Sequence, residues 1–529
     1  MTEPSTPEIR TSAATAASLD RFIRPIALAL LALFAVLYWA SAIHSGASAP
    51  LQTDDAFTLW MIKSPSIIGA LKLGADTAPP AFYYFMKASC HLFGFTPLGL
   101  RIPPITALFV FVAAIYFLLR RYVGDALAGA AAILPVFATM AQAGLFARPP
   151  ALMMASFALM CLVWAHDSSR HPKLWRSIAL TLLLGFAISM HFYSVLFVPL
   201  LLLMEFVWAT EHRFIRKAHW IAILAGGFVL VLWLPVIGPI YRMTRGSAKS
   251  PLYYARPTPL KLLDYIGHLA FDKSVLTILI ALFFIASIYT WLRIARRESQ
   301  RPLPRISDNL GLIAFSAAFI PFLTYAFAAV VTHVFNERYI VSATLALSVA
   351  VAILVRNLRW PKALELLFLL VVVVIYAKAV VPGLRHPVGS ANTFEKAILD
   401  LPGNDPVAMP DGGSFFRVQV AGDPAIRART VYLFLPGGQL DPDTEPSRIA
   451  HAWQTLRPDL PIYTTEDFLA QHKSFYILTW NTPGVGLTPY AKANLQTQIV
   501  STDGDYTILK VTNDKPSAPQ APAPLPTPH

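Results

Sequence analysis

The first polar chemistry in the chain is a pair of adjacent carboxylates, Asp54 and Asp55, followed at short range by a third, Asp76. Thr53-Asp54-Asp55-Ala56-Phe57 opens an amphipathic stretch that runs to Gly74. Asp76-Thr77-Ala78-Pro79-Pro80 then leads into an aromatic run, Phe82-Tyr83-Tyr84-Phe85. A carboxylate at a membrane surface is costly if it meets lipid, so the pair is expected to face a cavity. There one carboxylate can serve as a general base, a role worth roughly a hundred- to ten-thousand-fold in rate. Asp76 is placed to fold back beside the pair. The competing role for Asp54 or Asp55 is structural, as the N-cap of a surface helix.

The elements that must carry these acids follow from composition. The chain has 529 residues, of which 55% are hydrophobic and only 14% charged, with a mean hydropathy of +0.53. A soluble chain carries about a quarter charged residues. Collagen, a disordered tail and a disulfide scaffold are excluded, the last because Cys90 and Cys161 are the only cysteines and lie far apart. The apolar excess falls in blocks of about twenty residues, the length that crosses a bilayer core. The expected fold is a polytopic α-helical membrane protein with eleven spans, at 25–43, 100–119, 125–141, 149–165, 177–191, 194–210, 218–238, 274–292, 310–332, 339–355 and 363–381. The first block has the length of a full span. It is taken as an anchor, although Ala47-Ser48-Ala49 resembles a signal-peptidase site.

The net charge of +13 is explained by topology rather than by nucleic acid. With the N-terminus in the cytoplasm, arginines and lysines gather at alternate loops, among them Arg120-Arg121, Arg213 to Lys217, Arg293 to Arg305 and Arg356 to Lys362. Two outside loops break the rule. The loop 44–99 holds Lys63, Lys72 and Lys87, and the loop 241–273 holds six basic residues. Either an anionic ligand is held there or long loops cross regardless of charge. An odd number of spans puts everything after about 382 outside. Residues 1–384 thus form the membrane domain, with 44–99 as its first outside loop. Residues 385–514, polar and rich in Pro, Gly and Asp, form a small α/β domain with strands near 407–409, 430–435, 474–479 and 506–511 and helices over 444–457 and 465–473. Its Gly412-Gly413 and Gly437-Gly438 pairs are expected as turns. The Pro/Ala-rich tail, 515–529, is expected to be disordered.

Several motifs together resemble a known family. Asp54-Asp55-Ala-Phe-Thr-Leu, then Asp76-x-x-Pro-Pro-Ala-Phe-Tyr-Tyr, then Phe93-Gly94 and Leu100-Arg101-Ile-Pro-Pro resemble the first-loop signature of bacterial GT-C glycosyltransferases. The similar branch is glycosyltransferase family 39, with the protein O-mannosyltransferases and lipid A aminoarabinose transferases. Ala147-Arg148-Pro149-Pro150-Ala151-Leu152 and Glu337-Arg338-Tyr339 extend the likeness over about 25–355. The chain departs from the family in having Asp55 for Glu, Ala78 where a His is common and Pro150 for Tyr. These changes bear on substrate recognition more than on reaction class.

The resemblance implies a sugar donor on a polyprenyl phosphate and an acceptor hydroxyl on a lipid, glycan or protein. It implies inversion, with Asp54 taking the acceptor proton and Asp55 or Asp76 orienting the acceptor or the sugar. The leaving phosphate gains charge as its bond breaks, and Arg338 can meet it with a bidentate fork, with Arg148 and Lys87 as further candidates. Tyr83, Tyr84 and Tyr339 are candidates for contact with sugar or lipid. The alternative for Tyr83 and Tyr84 is an ordinary interfacial aromatic, and for Arg338 a snorkelling anchor. No resident cofactor is expected. The wider superfamily varies in its need for a divalent metal, and His333 with Glu337, four apart, is a weak metal signal. His191, alone in a turn, is taken as structural. The implied setting is a bacterial inner membrane with the active face in the periplasm. A transporter or flippase of a lipid-linked or anionic solute is the rival function. It would place ionisable residues at mid-membrane, whereas here they gather at one face. A receptor would leave the first-loop acids unexplained.

Overall fold

The computed structural model describes residues 7–138, 146–167, 172–247, 255–269, 308–385, 393–409, 412–434, 445–480, 495–503 and 506–513. The chain divides into two compact units. One gathers Met1–Ala49, Ala78–Leu234 and Ala255–Val388; the other gathers Pro50–Thr77, Pro235–Tyr254 and Gly389–His529.

The first unit is helical because backbone polar groups in hydrocarbon must be satisfied within their own segment. Among the described residues, five helices are long and apolar enough to cross a membrane: Phe22–Ser48, Pro97–Leu119, Phe192–His212, Asn309–Thr332 and Lys362–Arg385. Lys217–Leu232 with Leu234–Arg242 makes a sixth if the broken pair is one span. Four shorter apolar helices, Asp125–Phe137, Pro150–His166, Leu174–Met190 and Val341–Asn357, stand where the other expected spans lie. The expected span 274–292 falls outside the described residues. The densest packing joins helices that are not consecutive: Pro97–Leu119 with Pro150–His166, Leu174–Met190 with Lys217–Leu232, and Pro7–Ser48 with Lys362–Arg385, the two ends of the unit. Cys90 and Cys161 are buried and form no disulfide.

Proline starts several of these helices, at Pro80, Pro97 and Pro150, where its missing N–H costs nothing. Thr96 caps Pro97–Leu119 by accepting the Gly99 N–H at 3.1 Å. From that helix the buried Arg101 reaches back to the end of Pro7–Ser48, where its Nη1 donates to the carbonyls of Gly46 (3.3 Å) and Ala49 (2.7 Å). A cation on the last carbonyls of a helix satisfies acceptors the helix leaves open.

At one end of the unit four helices are tied by buried charge. Glu205 pairs with Arg216 at 2.5 Å and accepts the Trp164 indole N–H at 2.7 Å. His219 lies between Glu205 (2.8 Å) and Asp167 (3.5 Å), while Arg176 meets Asp167 at 3.2 Å. Arg216 also donates to the Asp167 carbonyl and stacks over Trp208, 3.8 Å from the ring centre. Two carboxylates and two guanidiniums balance, so the cluster tolerates burial that single charges would not.

In the second unit the segment after 388 forms a six-stranded sheet in the order β3-β2-β1-β4-β6-β5. The strands are β1 (Val407–Met409), β2 (Thr430–Phe434), β3 (Ile462–Thr464), β4 (Ser474–Trp480), β5 (Gln496–Asp503) and β6 (Tyr506–Thr512). β3, β2, β1 and β4 run parallel, whereas β6 pairs antiparallel with both β4 and β5. Helices Gly412–Ala421, Glu445–Leu456 and Thr465–Gln471 lie on the connections between the parallel strands. Gly412 and Gly413 therefore begin a helix instead of making a turn; Gly437 and Gly438 fall outside the described residues. The strand order reverses between β1 and β4, the kind of position where open α/β sheets bind ligands.

The buried ion cluster makes a prediction about stability. Glu205→Leu leaves Arg216 unpaired and is expected to cost about 3–5 kcal/mol. Glu205→Leu combined with Arg216→Met should recover most of that loss, as measured by thermal unfolding in detergent.

Candidate functional site

The acids of the first loop belong to the second unit. Helix Thr53–Lys63 packs on helix Gly412–Ala421, which follows β1 at the strand-order reversal. The contact is aromatic: Phe57 lies 5.4 Å from Phe416, and Trp60 lies 5.9 Å from Phe416 and 5.0 Å from Trp453. The Trp60 indole donates to the Phe416 carbonyl at 2.9 Å. At the other end of the contact Thr53 lies against Gly413, where a Cβ would stand 2.7 Å from Thr53 Cγ2. Only glycine allows that approach. Sequence alone assigned 50–77 to the membrane domain; this packing gathers it with the C-terminal sheet.

The two adjacent acids differ in surroundings. Asp55 is buried, and its Oδ2 accepts the Gln52 backbone N–H at 3.1 Å, the back-reaching half of a capping box. Asp54 is half-buried. Asp76 follows the short helix Ile67–Lys72, after Gly74 turns the chain with φ of +84°. It is buried, and its Oδ1 accepts the Thr77 N–H at 2.7 Å.

In the first unit a different group of candidates comes together. His191 ends helix Leu174–Met190, and its ring lies 5.1 Å from that of Tyr339. Tyr339 stacks on Tyr193 at 4.2 Å and 22°. The Tyr193 hydroxyl is held by Thr332 and by the Val334 carbonyl. Arg338 lies beside this stack, and Asn336 Oδ1 accepts from both its backbone N–H (3.1 Å) and its Nε (3.2 Å). Arg338 and Arg148 both lie near enough for their positive charges to act on the His191 ring. The Tyr193 N–H donates to His191 Nδ1 at 3.1 Å, so the ring is neutral with its proton on Nε2. Two guanidiniums thus share one neighbourhood with an uncharged imidazole and stacked phenols.

The remaining candidates lie on helix Pro80–Phe93, which packs on helix Leu174–Met190, and on the segment that leads into Arg338. Lys87 is half-buried on helix Pro80–Phe93. On the same helix Tyr83 is fully buried, edge-on to Phe82 at 5.2 Å, whereas Tyr84 is half-exposed. His333 and Glu337 do not form a helical pair. His333 takes a left-handed φ of +57° that ends the preceding helix, and Glu337 starts a separate short turn. Among the described residues no three His, Cys, Asp or Glu side chains gather as a metal site would require.

Tyr193 is the residue that sequence reasoning did not single out, and His191, taken there as structural, stands in the same cluster. The available signal was a His-Phe-Tyr run in a short turn at the same expected face as Arg148 and Arg338.

Residues 77–238 match the family profile described as dolichyl-phosphate-mannose-protein mannosyltransferase. ArnT from Cupriavidus metallidurans, solved bound to undecaprenyl phosphate, aligns with 92% of this chain and 99% of its own at 13% identity and a TM-score of 0.51. The apo form of ArnT aligns with 92% and 98% at 14% identity and a TM-score of 0.53. A search of curated protein sequences finds no match.

Two predictions follow from the packing. His191→Asn keeps an acceptor for the Tyr193 N–H and should unfold close to wild type. His191→Leu strands that donor at about 1–3 kcal/mol, and His191→Lys should be worse because it adds a third cation; thermal unfolding in detergent ranks the three. Gly413→Ala should cost about 1–3 kcal/mol by overpacking against Thr53. Limited proteolysis would then cut 50–77 faster than in wild type.

Proposed function

We propose, for a chain with the fold of the GT-C glycosyltransferases, that it is a membrane enzyme moving a sugar from a polyprenyl-phosphate donor to an acceptor hydroxyl. The observation that carries this reading is the position of Arg338, its Nε fixed by Asn336, next to the stacked rings of His191, Tyr339 and Tyr193, with the charge of Arg148 acting on the same ring. Two cations beside apolar rings suit a phosphate that arrives on a lipid. That ArnT is solved with undecaprenyl phosphate supports the same donor class. The donor is a phosphodiester that leaves as a phosphate monoester, so negative charge grows as the bond to the anomeric carbon breaks. Arg338, its Nε held by Asn336, meets that growing charge from a fixed position, with little reorganisation.

In this proposal the acceptor oxygen attacks the anomeric carbon from the face opposite the phosphate, so one displacement inverts the centre. Its proton passes to Asp54. The engagement of Asp55 in capping its own helix favours Asp54 as the base and leaves Asp55 a positioning role. Asp76 orients acceptor or sugar, and Arg148 and Lys87 add positive charge on the donor side. Tyr339, stacked on Tyr193, offers a flat surface to sugar or lipid. The acceptor is a hydroxyl of a lipid, glycan or protein. The active face is the one opposite the arginine-rich loop ends, the periplasmic side of a bacterial inner membrane.

The test is mass spectrometry of the lipids of cells carrying wild type, Asp54→Asn, Asp55→Asn, Asp76→Asn or Arg338→Ala. Loss of the base is expected to lower transfer about a hundred- to ten-thousand-fold. Loss of Arg338 should lower it about a hundred- to a thousand-fold. A polyprenyl-phosphate sugar should accumulate in Asp54→Asn and identify the donor by mass. Accumulation only in Asp55→Asn or Asp76→Asn would move the base to that residue. An unchanged pool in all four variants would overturn the transferase and favour transport.

A further inference from the structure

The second unit contains a cleft that the reaction above does not use. It has a volume of about 590 Å³, within the size range of small-ligand sites. Trp60 and Trp453 form part of its wall while only 5% and 1% exposed, so they are fixed surfaces. Pro65, Pro424 and Pro461 add stiff backbone to the lining. The wall is therefore preformed, which lowers the entropy lost when a ligand binds.

Its polar groups are unequally satisfied. Arg457 is locked by a two-pronged bond to Asp459 (2.8 and 2.7 Å) and lies over the Trp60 ring at 5.6 Å. Lys63 and Arg427 also line the cleft, and neither meets a carboxylate among the described residues. The buried Trp453 Nε1 likewise has no hydrogen-bond partner there. Gln419 spends its amide nitrogen on the Arg427 carbonyl and on Thr430, which leaves its carbonyl oxygen to accept.

We propose that this cleft binds a saccharide carrying a phosphate or carboxylate. Lys63 and Arg427 supply the charge an anion needs, the Trp453 N–H and the Gln419 carbonyl match ring hydroxyls, and the indoles match the apolar face of a sugar. A phosphate alone would leave the amide acceptor and the aromatic wall unused. An acidic peptide would not need a wall of this rigidity. Resting on the transferase reading, the site assigns the acceptor to anionic glycans or glycolipid headgroups.

The test is calorimetric titration of the full-length protein in detergent with a hexose 1-phosphate and a hexuronate. The neutral hexose, inorganic phosphate and a glutamate-rich peptide serve as comparisons. The anionic sugars should bind at least tenfold tighter than each comparison. Arg427→Ala and Lys63→Ala should each weaken them about tenfold, and Trp453→Phe, which removes the N–H together with one ring of the wall, should weaken them several-fold. Equal binding of inorganic phosphate or of the peptide, or unchanged affinity in all three variants, would overturn the site. Asp54→Asn should bind the sugars as wild type does, so lost transfer with intact binding indicts the reaction alone. Absent binding in a wild-type protein that still transfers sugar overturns the cleft alone.

Discussion

The candidate chemistry depends on one contact inside the second unit, the docking of Thr53–Lys63 onto Gly412–Ala421. A surface helix of eleven residues is too short to be stable alone in water. Trp60 and Phe57 supply what it lacks by burying their rings against Phe416 and Trp453, and the indole N–H finds a carbonyl there. Once that face is set, the orientation of Asp54 and Asp55 follows. The buried member caps its own helix, while its neighbour, about 100° further round, keeps part of its surface open.

Charge burial is managed in two opposite ways in the helical unit. At Asp167, Glu205, Arg176 and Arg216 opposite charges meet and cancel, and the cluster closes on itself. Such a cluster ties helices together and offers nothing to a ligand. Around His191 the arrangement is reversed: the positive charges of Arg148 and Arg338 act on the same ring, and the imidazole stays neutral. Here the charges acting on one ring are of a single sign, which sets this cluster apart from the balanced one.

The extent to which the site was legible in the sequence varies by residue. Asp54, Asp55, Asp76, Arg148 and Arg338 stand out because acids and arginines are rare in so apolar a chain. His191 did not, since a lone turn histidine looks alike whether idle or surrounded. β1, β2, β4 and β6 were visible as apolar runs. β3 is three residues long, and β5, Gln496–Asp503, is a polar and largely exposed edge without alternation. Neither carries a pattern that propensity could detect. Gly412-Gly413 signalled a turn because local rules know glycine as a breaker; the approach of Thr53 from some 360 residues away gives at least the second glycine another purpose.

By itself the sequence determined the class of molecule: apolar blocks of bilayer length, basic loop ends and a polar α/β segment at the C-terminus. These are local quantities, summed over windows of about twenty residues, and the solvent that each window prefers decides them. Only the tertiary structure decided which helix the paired acids ride on and what it docks against. It also decided which of the two is spent on a cap, and that two arginines from distant segments act on one histidine. Those outcomes depend on side chains meeting across hundreds of residues, where packing and desolvation act on atoms that the sequence does not list as neighbours.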